Sequence, residues 1–340
     1  MAAPIQNLLG LLMRSESLMR DEASRLLNVL LDDATTEAQI AAILIALKRK
    51  GETVEELAGL AEGMRARAVK INSLHACFID TAGTGSSLVK TFNVSTAAAF
   101  VIAGAGLPVA KHGNRAASSS CGSADVLAAL GVNVSVDVSV SESCLNDYGI
   151  CFMFAPLYHS ATARVAGVRR QLGVHTTFNL LGPLTNPAGA PRQVIGVWDR
   201  ALAEPMARTL ALLGTERAWV VHGTDGLDEI TLADSTFVAE AHNGEVRTFE
   251  IQPEDFGLER SGLDNLRGCD AEANAAIIRD VLAGKRRDEA RTLVVINAAA
   301  ALYVGGAAGD LGEGVRLAEE SIDNGLAVGK LDRLIRITNG

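Results

Sequence analysis

The sequence predicts an α/β protein: a small all-helical N-terminal domain, followed by a larger α/β domain with a mostly parallel central sheet. Two observations predict this. Residues 1–70 carry helix signals only, and from Cys77 onward short apolar runs alternate with helical patterns. A chain of 340 residues is long enough for domains with substantial cores. We place the helical domain at residues 1–70 and the α/β domain at residues 75–340.

The N-terminal helices have recognisable starts and stops. The apolar patch at residues 5–13 predicts a first amphipathic helix, since it lacks a preceding basic region and is too short to cross a bilayer. Thr36 with Gln39, and Thr53 with Glu56, have the spacing of capping boxes. The cations at residues 48–50 and Gly51 predict the end of a helix.

Strands are predicted where short apolar runs interrupt the helical pattern. These runs lie at residues 77–81, 132–136, 193–198, 218–221 and 292–296. A further helix is predicted at residues 161–172, before Gly182-Pro183 and Asn186-Pro187 break the chain.

Composition indicates a soluble globular protein, with 48% apolar and 21% charged residues. The net charge of −9 argues against a general nucleic-acid binder, so any anion site must be local. The five cysteines are odd in number and show no CxxC spacing. That pattern suits a reducing cytosol and argues against a structural zinc site.

A glycine-rich turn at residues 82–87 separates the predicted strand at residues 77–81 from a helix rich in alanine. We expect Ser95 or Thr96 to be the N-cap of that helix. A strand, a glycine-rich turn and a helix N-terminus together present free amides and a helix dipole to an anion.

Residues 109–125 combine cations with small hydrogen-bond donors. Lys111, His112, Asn114 and Arg115 surround Gly113, and a serine-rich segment follows. We expect neither a regular helix nor a regular strand here, and such a segment suits a multiply charged phosphate ligand. A solvated basic loop is the alternative.

Asp228-Glu229 and Arg169 are two further candidates. Adjacent carboxylates repel each other unless they are solvated or bind a cation, and Mg²⁺ is typically held by one or two carboxylates plus substrate phosphates. A surface acidic pair is the alternative for Asp228-Glu229, and a solvated helix-end arginine is the alternative for Arg169.

Several of these motifs occur, in the same order, in one known family. They lie at residues 46–53, 111–115, 179–187, 226–229 and 297–302. Over essentially its whole length the chain resembles the anthranilate phosphoribosyltransferase family, which has a nucleoside-phosphorylase-like fold. The resemblance implies that about residues 161–190 join the helical domain in space, with the active site in the cleft between the two domains.

The resemblance also implies a reaction: Mg²⁺-dependent transfer of the phosphoribosyl group of phosphoribosyl pyrophosphate (PRPP) to the amine of anthranilate, in tryptophan biosynthesis. It implies a homodimer joined through the helical domain. The cysteine pattern predicts a cytoplasmic location, while the net charge and the short apolar patch argue against a nucleic-acid or membrane partner. The residues that it implies for PRPP are Gly83, Gly85, Ser86, Ser87, Thr91, Asn93, Val94, Ser95, Thr96, Lys111, His112, Gly113, Asn114, Arg115, Ala116, Ala117, Ser118, Ser119 and Ser123.

The same resemblance implies the remaining ligands. Two Mg²⁺ ions per monomer would bind at Ser95, Asp228 and Glu229. Anthranilate would contact Gly83, Asn114, His159 and Arg169, with Arg169 paired to its carboxylate. We expect an oxocarbenium-like transition state without a covalent enzyme intermediate. For His112 we expect a structural or positioning role rather than that of a general base.

The turn departs from the family pattern G-T-G-G-D. Ser86 stands where a glycine is usual, and Ser87 replaces a carboxylate, while Lys90 adds a positive charge nearby. Ser160 likewise stands where a proline commonly follows the histidine. We expect the turn still to bind phosphates with an altered Mg²⁺ dependence. The alternatives are a pyrimidine-nucleoside-phosphorylase-like enzyme, and a weakly active or nucleic-acid-binding paralogue.

Overall fold

A computed structural model describes residues 5–85, 89, 91–116, 121–263 and 266–340. Up to residue 70 the described chain is helical, as predicted. Its helices are α1 (Ile5–Met13), α2 (Arg20–Leu30), α3 (Glu37–Lys50) and α4 (Val54–Arg67). Both predicted capping boxes are present, at Thr36 and Thr53, and Gly51 ends α3 with a φ of 83°.

The larger part of the chain forms a sheet with helices on both sides. The strands are β1 (Ile79–Gly83), β2 (Val109–Gly113), β3 (Ile150–Phe154), β4 (Arg192–Gly196), β5 (Arg217–Gly223), β6 (Thr236–His242) and β7 (Glu245–Ile251). The remaining helices are α5 (Val94–Gly104), α6 (Ser123–Ala129), α7 (Val138–Tyr148), α8 (Ala155–Tyr158), α9 (Ala163–Leu172), α10 (Thr177–Leu184), α11 (Ala203–Leu212), α12 (Ala271–Leu282), α13 (Glu289–Val304), α14 (Leu311–Asp323) and α15 (Leu326–Thr338).

In the described residues the strand order is β3-β2-β1-β4-β5-β6-β7. Strands β1 to β5 are parallel, and β6 and β7 extend the sheet in antiparallel fashion. The hairpin between β6 and β7 turns at Asn243-Gly244, where both residues have positive φ, 51° and 83°. The chain leaves β1 on one side for β2 and β3 and returns on the other side to β4. The point between β1 and β4 is therefore the topological switch point, where doubly wound folds bind their ligands.

Each face of the sheet contributes to a separate apolar core, because successive side chains of a strand point to opposite faces. Val194 and Trp219 belong to the core shared with α5, α12 and α13. Their neighbours Ile195 and Val220 belong to the core shared with α11, α9, α10 and the four N-terminal helices. Burial on both faces suits the parallel strands, which depend on covering helices. No helix among the described residues is long and apolar enough to cross a membrane.

Two of the predicted strands were wrong. Residues 132–136 are irregular, since the Asn133 side chain accepts a hydrogen bond from the Ser135 amide at 3.0 Å and forms a local turn. Residues 292–296 lie inside α13, which is buried on nearly all sides. A helix buried in this way has a continuous apolar sequence that mimics a buried strand.

Other predicted boundaries shifted by a few residues. The strand expected at residues 77–81 runs from Ile79 to Gly83, and the helix expected at residues 161–172 is α9. Pro183 lies within the last turn of α10, so the expected break at Gly182-Pro183 falls just before the helix ends.

Candidate functional site

A cleft of about 320 Å³ opens at the carboxyl ends of β1 and β2, beside the switch point. Helices α9 and α10 form its opposite wall. It is lined by Ala82, Gly83, Thr84, Gly85, Asn93, Lys111, His112, Gly113, Asn114, Arg115, Ala116, Cys121, Gly122, Ser123, Ala155, Arg169, Phe178, Asn179, Gly182, Pro183 and Asp228. The structure thus brings together the glycine-rich turn, the basic segment, Arg169 and the first of the two carboxylates.

The glycine-rich turn leaves β1 at the switch point. The Thr84 amide donates to the carbonyl of Gly196 at 2.9 Å, which ties the turn to the end of β4. Gly85 has a φ of 68°, a conformation that favours glycine. Ser86 and Ser87, the two residues that depart from the family pattern, lie outside the described residues.

The N-cap predicted for α5 was wrong. The helix begins at Val94, and Asn93 occupies the cap without a side-chain capping bond. The Asn93 side chain instead donates to the carbonyl of Cys121 at 3.2 Å and accepts from Asn274 at 3.1 Å. It therefore ties the start of α5 to the far end of the basic segment.

Two of the side chains that follow Asn93 do not line the cleft. Val94 and Thr96 are buried in the core, so only their backbone amides can face a ligand. The Thr96 hydroxyl oxygen has no hydrogen-bond partner in the structure. Thr91, also a predicted PRPP residue, pairs with Arg267 in an isolated antiparallel bridge.

Lys111 lies on β2, not in a loop as the sequence suggested, and its side chain is buried. Its ammonium donates to the carbonyl oxygen and the hydroxyl of Thr81 and, at 3.3 Å, to the Ser95 hydroxyl. Burial lowers the pKa of Lys111, and the nearby carboxylates of Asp80 and Glu229 act in the opposite direction. The charge of Lys111 thus sits among protein groups at the floor of the cleft.

Asp80 is buried on β1, the strand beside β2. It accepts a hydrogen bond from the His112 amide at 3.2 Å and one from the Asn186 side chain at 2.7 Å. Burial raises the pKa of Asp80 to about 6, and the charge of Lys111 limits the rise. Asn186, from the segment after α10, also donates to the carbonyl of Ala110 at 2.9 Å. Asp80 and Asn186 therefore fix the strand that carries Lys111 and His112.

The imidazole of His112 is buried at the cleft, and its Nε2 has no hydrogen-bond partner in the structure. Burial lowers the pKa of His112 to about 3, with a further contribution from His159, so this ring is neutral at physiological pH. His159 lies behind it, with ring centroids 5.2 Å apart, and its Nε2 is 3.1 Å from the carbonyl of Thr185. His159 is not among the residues that line the cleft.

The segment after β2 is closed into a loop by Asp125. This carboxylate accepts from the amides of Ala116 and Gly122 at 2.9 and 3.0 Å, and it forms a salt bridge with Arg115 at 2.9 Å. Gly113 allows close packing of the loop, because a Cβ there would lie 2.2 Å from the Ser123 hydroxyl. Ala117, Ser118 and Ser119 lie outside the described residues.

Asp228 and Glu229 lie between β5 and β6, both half-buried. Burial, together with repulsion from Asp228, raises the pKa of Glu229 to about 8. The nearby Ser95 amide acts in the opposite direction on this pKa. Asp228 faces the turn, since a Cβ on Gly83 would lie 3.6 Å from its Oδ2. Two carboxylates and a hydroxyl provide only oxygen ligands. They fit a Mg²⁺ ion that is completed by substrate phosphates and water.

The described residues contain no cluster of three or more acidic, histidine or cysteine side chains that could enclose a metal.

Arg169 lies on α9 at the opposite wall of the cleft. One guanidinium nitrogen donates to the Asn179 side-chain oxygen at 3.0 Å, and the guanidinium lies 5.8 Å from the ring centroid of Phe178. Its Nε is buried and has no hydrogen-bond partner in the structure. Burial lowers the pKa of Arg169, although an arginine remains charged. An unpaired edge of a buried guanidinium is suited to a carboxylate.

Sequence reasoning did not identify several residues of the site. Asn179 and Phe178 orient Arg169, while Asp80 and Asn186 support β2 from below. Both asparagines lie in the motif at residues 179–187. Their position next to glycine and proline in an apolar stretch was the available signal.

Comparison with known proteins matches both parts of the chain to a glycosyl transferase family. The profile described as "Glycosyl transferase family, helical bundle domain" matches residues 6–68, and the one described as "Glycosyl transferase family, a/b domain" matches residues 75–328. Anthranilate phosphoribosyltransferase from Moorella thermoacetica is 49% identical over 94% of this chain and 94% of its own length.

Solved structures of anthranilate phosphoribosyltransferases have the same fold as this chain. The crystal structure of anthranilate phosphoribosyltransferase from Thermus thermophilus is 38% identical, covers 98% of this chain and 99% of its own, and superposes with a TM-score of 0.92. The enzyme from Saccharomyces cerevisiae in complex with PRPP and Mg is 27% identical, covers 98% of each chain and superposes with a TM-score of 0.89.

Proposed function

This chain belongs to the anthranilate phosphoribosyltransferase family, and we propose that the cleft at the ends of β1 and β2 is the active site for that family's reaction. The enzyme transfers the 5-phosphoribosyl group of PRPP to the amine of anthranilate. The products are N-(5-phosphoribosyl)anthranilate and pyrophosphate, in a step of tryptophan biosynthesis. The observation that carries the proposal is one cleft with oppositely charged walls: Arg169 on one side and Asp228 on the other.

The phosphates of PRPP bind at the strand ends. The turn at residues 83–87, the first amides of α5 and the segment at residues 111–119 with Ser123 present amides and hydroxyls to the oxyanions. Arg115 is tied to Asp125, so its first role is to hold this segment closed. Lys111 contributes its positive field from the floor of the cleft and keeps the Ser95 hydroxyl in place.

Asp228, Glu229 and the Ser95 hydroxyl would hold Mg²⁺, two ions per subunit, against the pyrophosphate of PRPP. Bound there, the metal neutralises negative charge on the leaving group. The protein's own part is to present two adjacent carboxyl groups, whose repulsion when both are ionised a bound cation would relieve.

Anthranilate occupies the side of the cleft formed by α9 and α10. Its carboxylate pairs with the unpaired edge of Arg169, which Asn179 and Phe178 hold in orientation. Gly83 and Asn114 contact the substrate from the strand side. His159 contributes indirectly, through its contact with the ring of His112. A neutral imidazole at His112 can accept a hydrogen bond without repelling the positively charged Arg169.

In the reaction, the bond from C1 of ribose to the pyrophosphate oxygen breaks as the amine nitrogen of anthranilate bonds to C1 from the opposite face. Pyrophosphate leaves with the electron pair, and the nitrogen then releases a proton to solvent. Positive charge on the ribose and negative charge on the leaving group develop together. Stabilisation by fixed charges is therefore the main source of catalysis, with no covalent intermediate.

The Ser86-Ser87 turn still binds phosphate, with a changed Mg²⁺ requirement. Serine hydroxyls can replace part of the hydrogen bonding, but the carboxylate usual at position 87 is absent. The loss of one negative charge near the pyrophosphate changes the Mg²⁺ concentration that the site requires.

The chain acts as a homodimer in the cytoplasm, joined through its N-terminal helices. Met13, Met19 and Ile45 in that region are exposed apolar side chains that a partner subunit would cover. All five cysteines are free thiols, which suits a reducing compartment.

The test follows the loss of anthranilate fluorescence with PRPP during a Mg²⁺ titration. The wild type should consume anthranilate. Arg169→Ala should raise the KM for anthranilate at least tenfold, because a charge-assisted pair to the carboxylate is lost. Arg170→Ala, which removes the exposed neighbouring arginine of the same helix, is the matched control and should behave as wild type.

The double variant Ser86→Gly/Ser87→Asp is the second arm of the test. It should shift the Mg²⁺ profile if the serine turn alters metal handling. Activity in the double variant alone would mean that this chain has lost the family reaction. Inactivity of every variant would overturn the substrate assignment.

A further inference from the structure

The loop that carries Asp228 and Glu229 has no regular secondary structure to hold it in place. Its first half is closed by Asp225, whose carboxylate accepts from the Leu227 amide at 3.1 Å and from the Thr231 hydroxyl at 2.5 Å. The Gly223 amide donates to the Leu227 carbonyl at 2.8 Å. These bonds shape the loop but connect it only to itself and to the end of β5.

Side-chain hydrogen bonds from Asn297 of α13 connect the loop to the core. Its side-chain oxygen accepts from the Ile230 amide at 3.0 Å, and its side-chain nitrogen donates to the Ile230 carbonyl at 2.9 Å. The second hydrogen of the same amide group donates to the Leu293 carbonyl at 2.9 Å. The carboxamide thus pairs with Ile230 as a neighbouring strand would, directly after Glu229.

Asn297 is buried, and its three hydrogen bonds use both of its N–H groups and its oxygen, so its orientation is fixed. Helix α13 packs along α5, and the buried alanines 298–301 belong to the core that the two helices share. The N-terminal turn of α5 places the Ser95 amide near Glu229. Asn297 therefore links the acidic loop to the helix that packs against α5.

Such a restraint matters because Asp228 and Glu229 are adjacent, half-buried carboxyl groups, and both must be ionised to bind Mg²⁺. Without a restraint, the repulsion between the two ionised groups favours a loop conformation that moves the pair apart or toward solvent. Groups that orient metal ligands from behind typically change metal affinity about 10- to 100-fold when they are removed.

We propose that Asn297 is a positioning residue, which holds the Asp228–Glu229 loop against α5 in the geometry needed to bind the Mg²⁺–pyrophosphate part of PRPP. This inference rests on the proposed function, since it concerns the metal-binding half of the same site. Asn297 touches neither substrate; its effect passes through Ile230 to Glu229.

The experiment measures binding of PRPP by isothermal titration calorimetry at a series of Mg²⁺ concentrations. The variants are Asn297→Ala and Asn297→Asp; the second keeps an acceptor for the Ile230 amide but loses the donor to its carbonyl. The matched control is Ser321→Ala. It also removes a buried side-chain hydrogen bond onto α5, to the Val101 carbonyl at 2.8 Å, at a distance from the acidic loop.

Both Asn297 variants should require about tenfold more Mg²⁺ for half-maximal PRPP binding. Their KM for anthranilate at saturating PRPP and Mg²⁺ should stay within about twofold of wild type. Ser321→Ala should keep the wild-type Mg²⁺ requirement. If Asn297→Ala does not fold, Asn297→Asp carries the test by itself.

Two outcomes separate the possible failures. A folded Asn297→Asp enzyme with the wild-type Mg²⁺ requirement would overturn the positioning role. An equal rise in the KM for anthranilate would also overturn it, because the change would then be a general loss of structure. If wild type does not bind PRPP with Mg²⁺ at all, the proposed function itself fails.

Discussion

His112 links the burial of one residue to the acid stability of the protein. Its pKa in the folded state is about 3, against 6.5 for a solvated imidazole. Between these pH values the unfolded chain binds a proton that the folded chain does not, so the free energy of unfolding falls as the pH falls. From pH 7 to pH 5 this amounts to about 2 kcal/mol.

Asp80 changes the free energy of unfolding with pH in the opposite direction. Its pKa is raised to about 6, so the folded chain holds an extra proton below that pH and gains stability as the pH falls toward 3.8. The free energy of unfolding of the wild type therefore changes with pH by the sum of two effects that partly cancel. The test compares urea unfolding of wild type and His112→Gln at pH 7 and pH 5.

His112→Gln keeps the backbone bond to Asp80 and removes only the imidazole. Relative to wild type, it should gain about 2 kcal/mol between pH 7 and pH 5. Parallel curves would show that the imidazole titrates normally in the folded state.

Sequence reasoning predicted three charged residues that the structure places in one cleft. Lys111 was predicted from the basic segment, Asp228 from its adjacent carboxylate and Arg169 from the family resemblance, and all three line the cleft. The sequence could not show that Lys111 is engaged by Thr81 and Ser95, or that Arg115 is engaged by Asp125. The first contact depends on which strands lie side by side, and the second on the path of the loop between β2 and α6; local patterns encode neither.

At the scale of single elements, the end of β4 supports the acidic loop directly. A Cβ on Gly196 would lie 1.7 Å from the Asp228 carbonyl oxygen. Gly196→Ala should therefore displace Asp228, destabilise the fold by roughly 1–3 kcal/mol and weaken PRPP binding in the presence of Mg²⁺. Urea unfolding and calorimetry measure the two effects.

Gly329→Ala is the control for that substitution. Gly329 lies in α15, and no atom would lie within 4 Å of its added Cβ. The exchange should stabilise the protein by about 0.5–1 kcal/mol, because alanine favours a helix interior. Wild-type binding and stability in Gly196→Ala would show that the loop adapts without affecting the metal site.

The prediction of helices and strands succeeded where the signal was a local capping pattern. It failed where burial in the tertiary structure determined the conformation. The capping boxes of α3 and α4 follow from residues three apart, and the structure has both. Residues 292–296 have the composition of a strand, yet they are part of a fully packed helix. Asn243-Gly244 is a strong turn signal for the hairpin between β6 and β7, but apolar runs alone do not reveal it.

For the whole molecule, the net charge of −9 argues against a broad basic face of the kind that binds DNA without sequence specificity. Fluorescence anisotropy of a labelled DNA duplex at about 50 mM salt should show no binding at micromolar protein. Binding that weakens steeply as salt is added would contradict this prediction and favour a nucleic-acid-binding paralogue.

The core shared by the N-terminal helices and the sheet has a consequence for how the chain is made. Helices α1 to α4 leave the ribosome before the sheet does. The sheet face that shares their core, with Ile195, Val220 and Ala239, begins to be synthesised some 130 residues after α4 ends. Until β4 to β6 emerge, the newly made helices keep an apolar surface without its final partner. Completion of this core involves contacts of high sequence separation, so it is a slow step of folding in which the nascent chain is prone to aggregation.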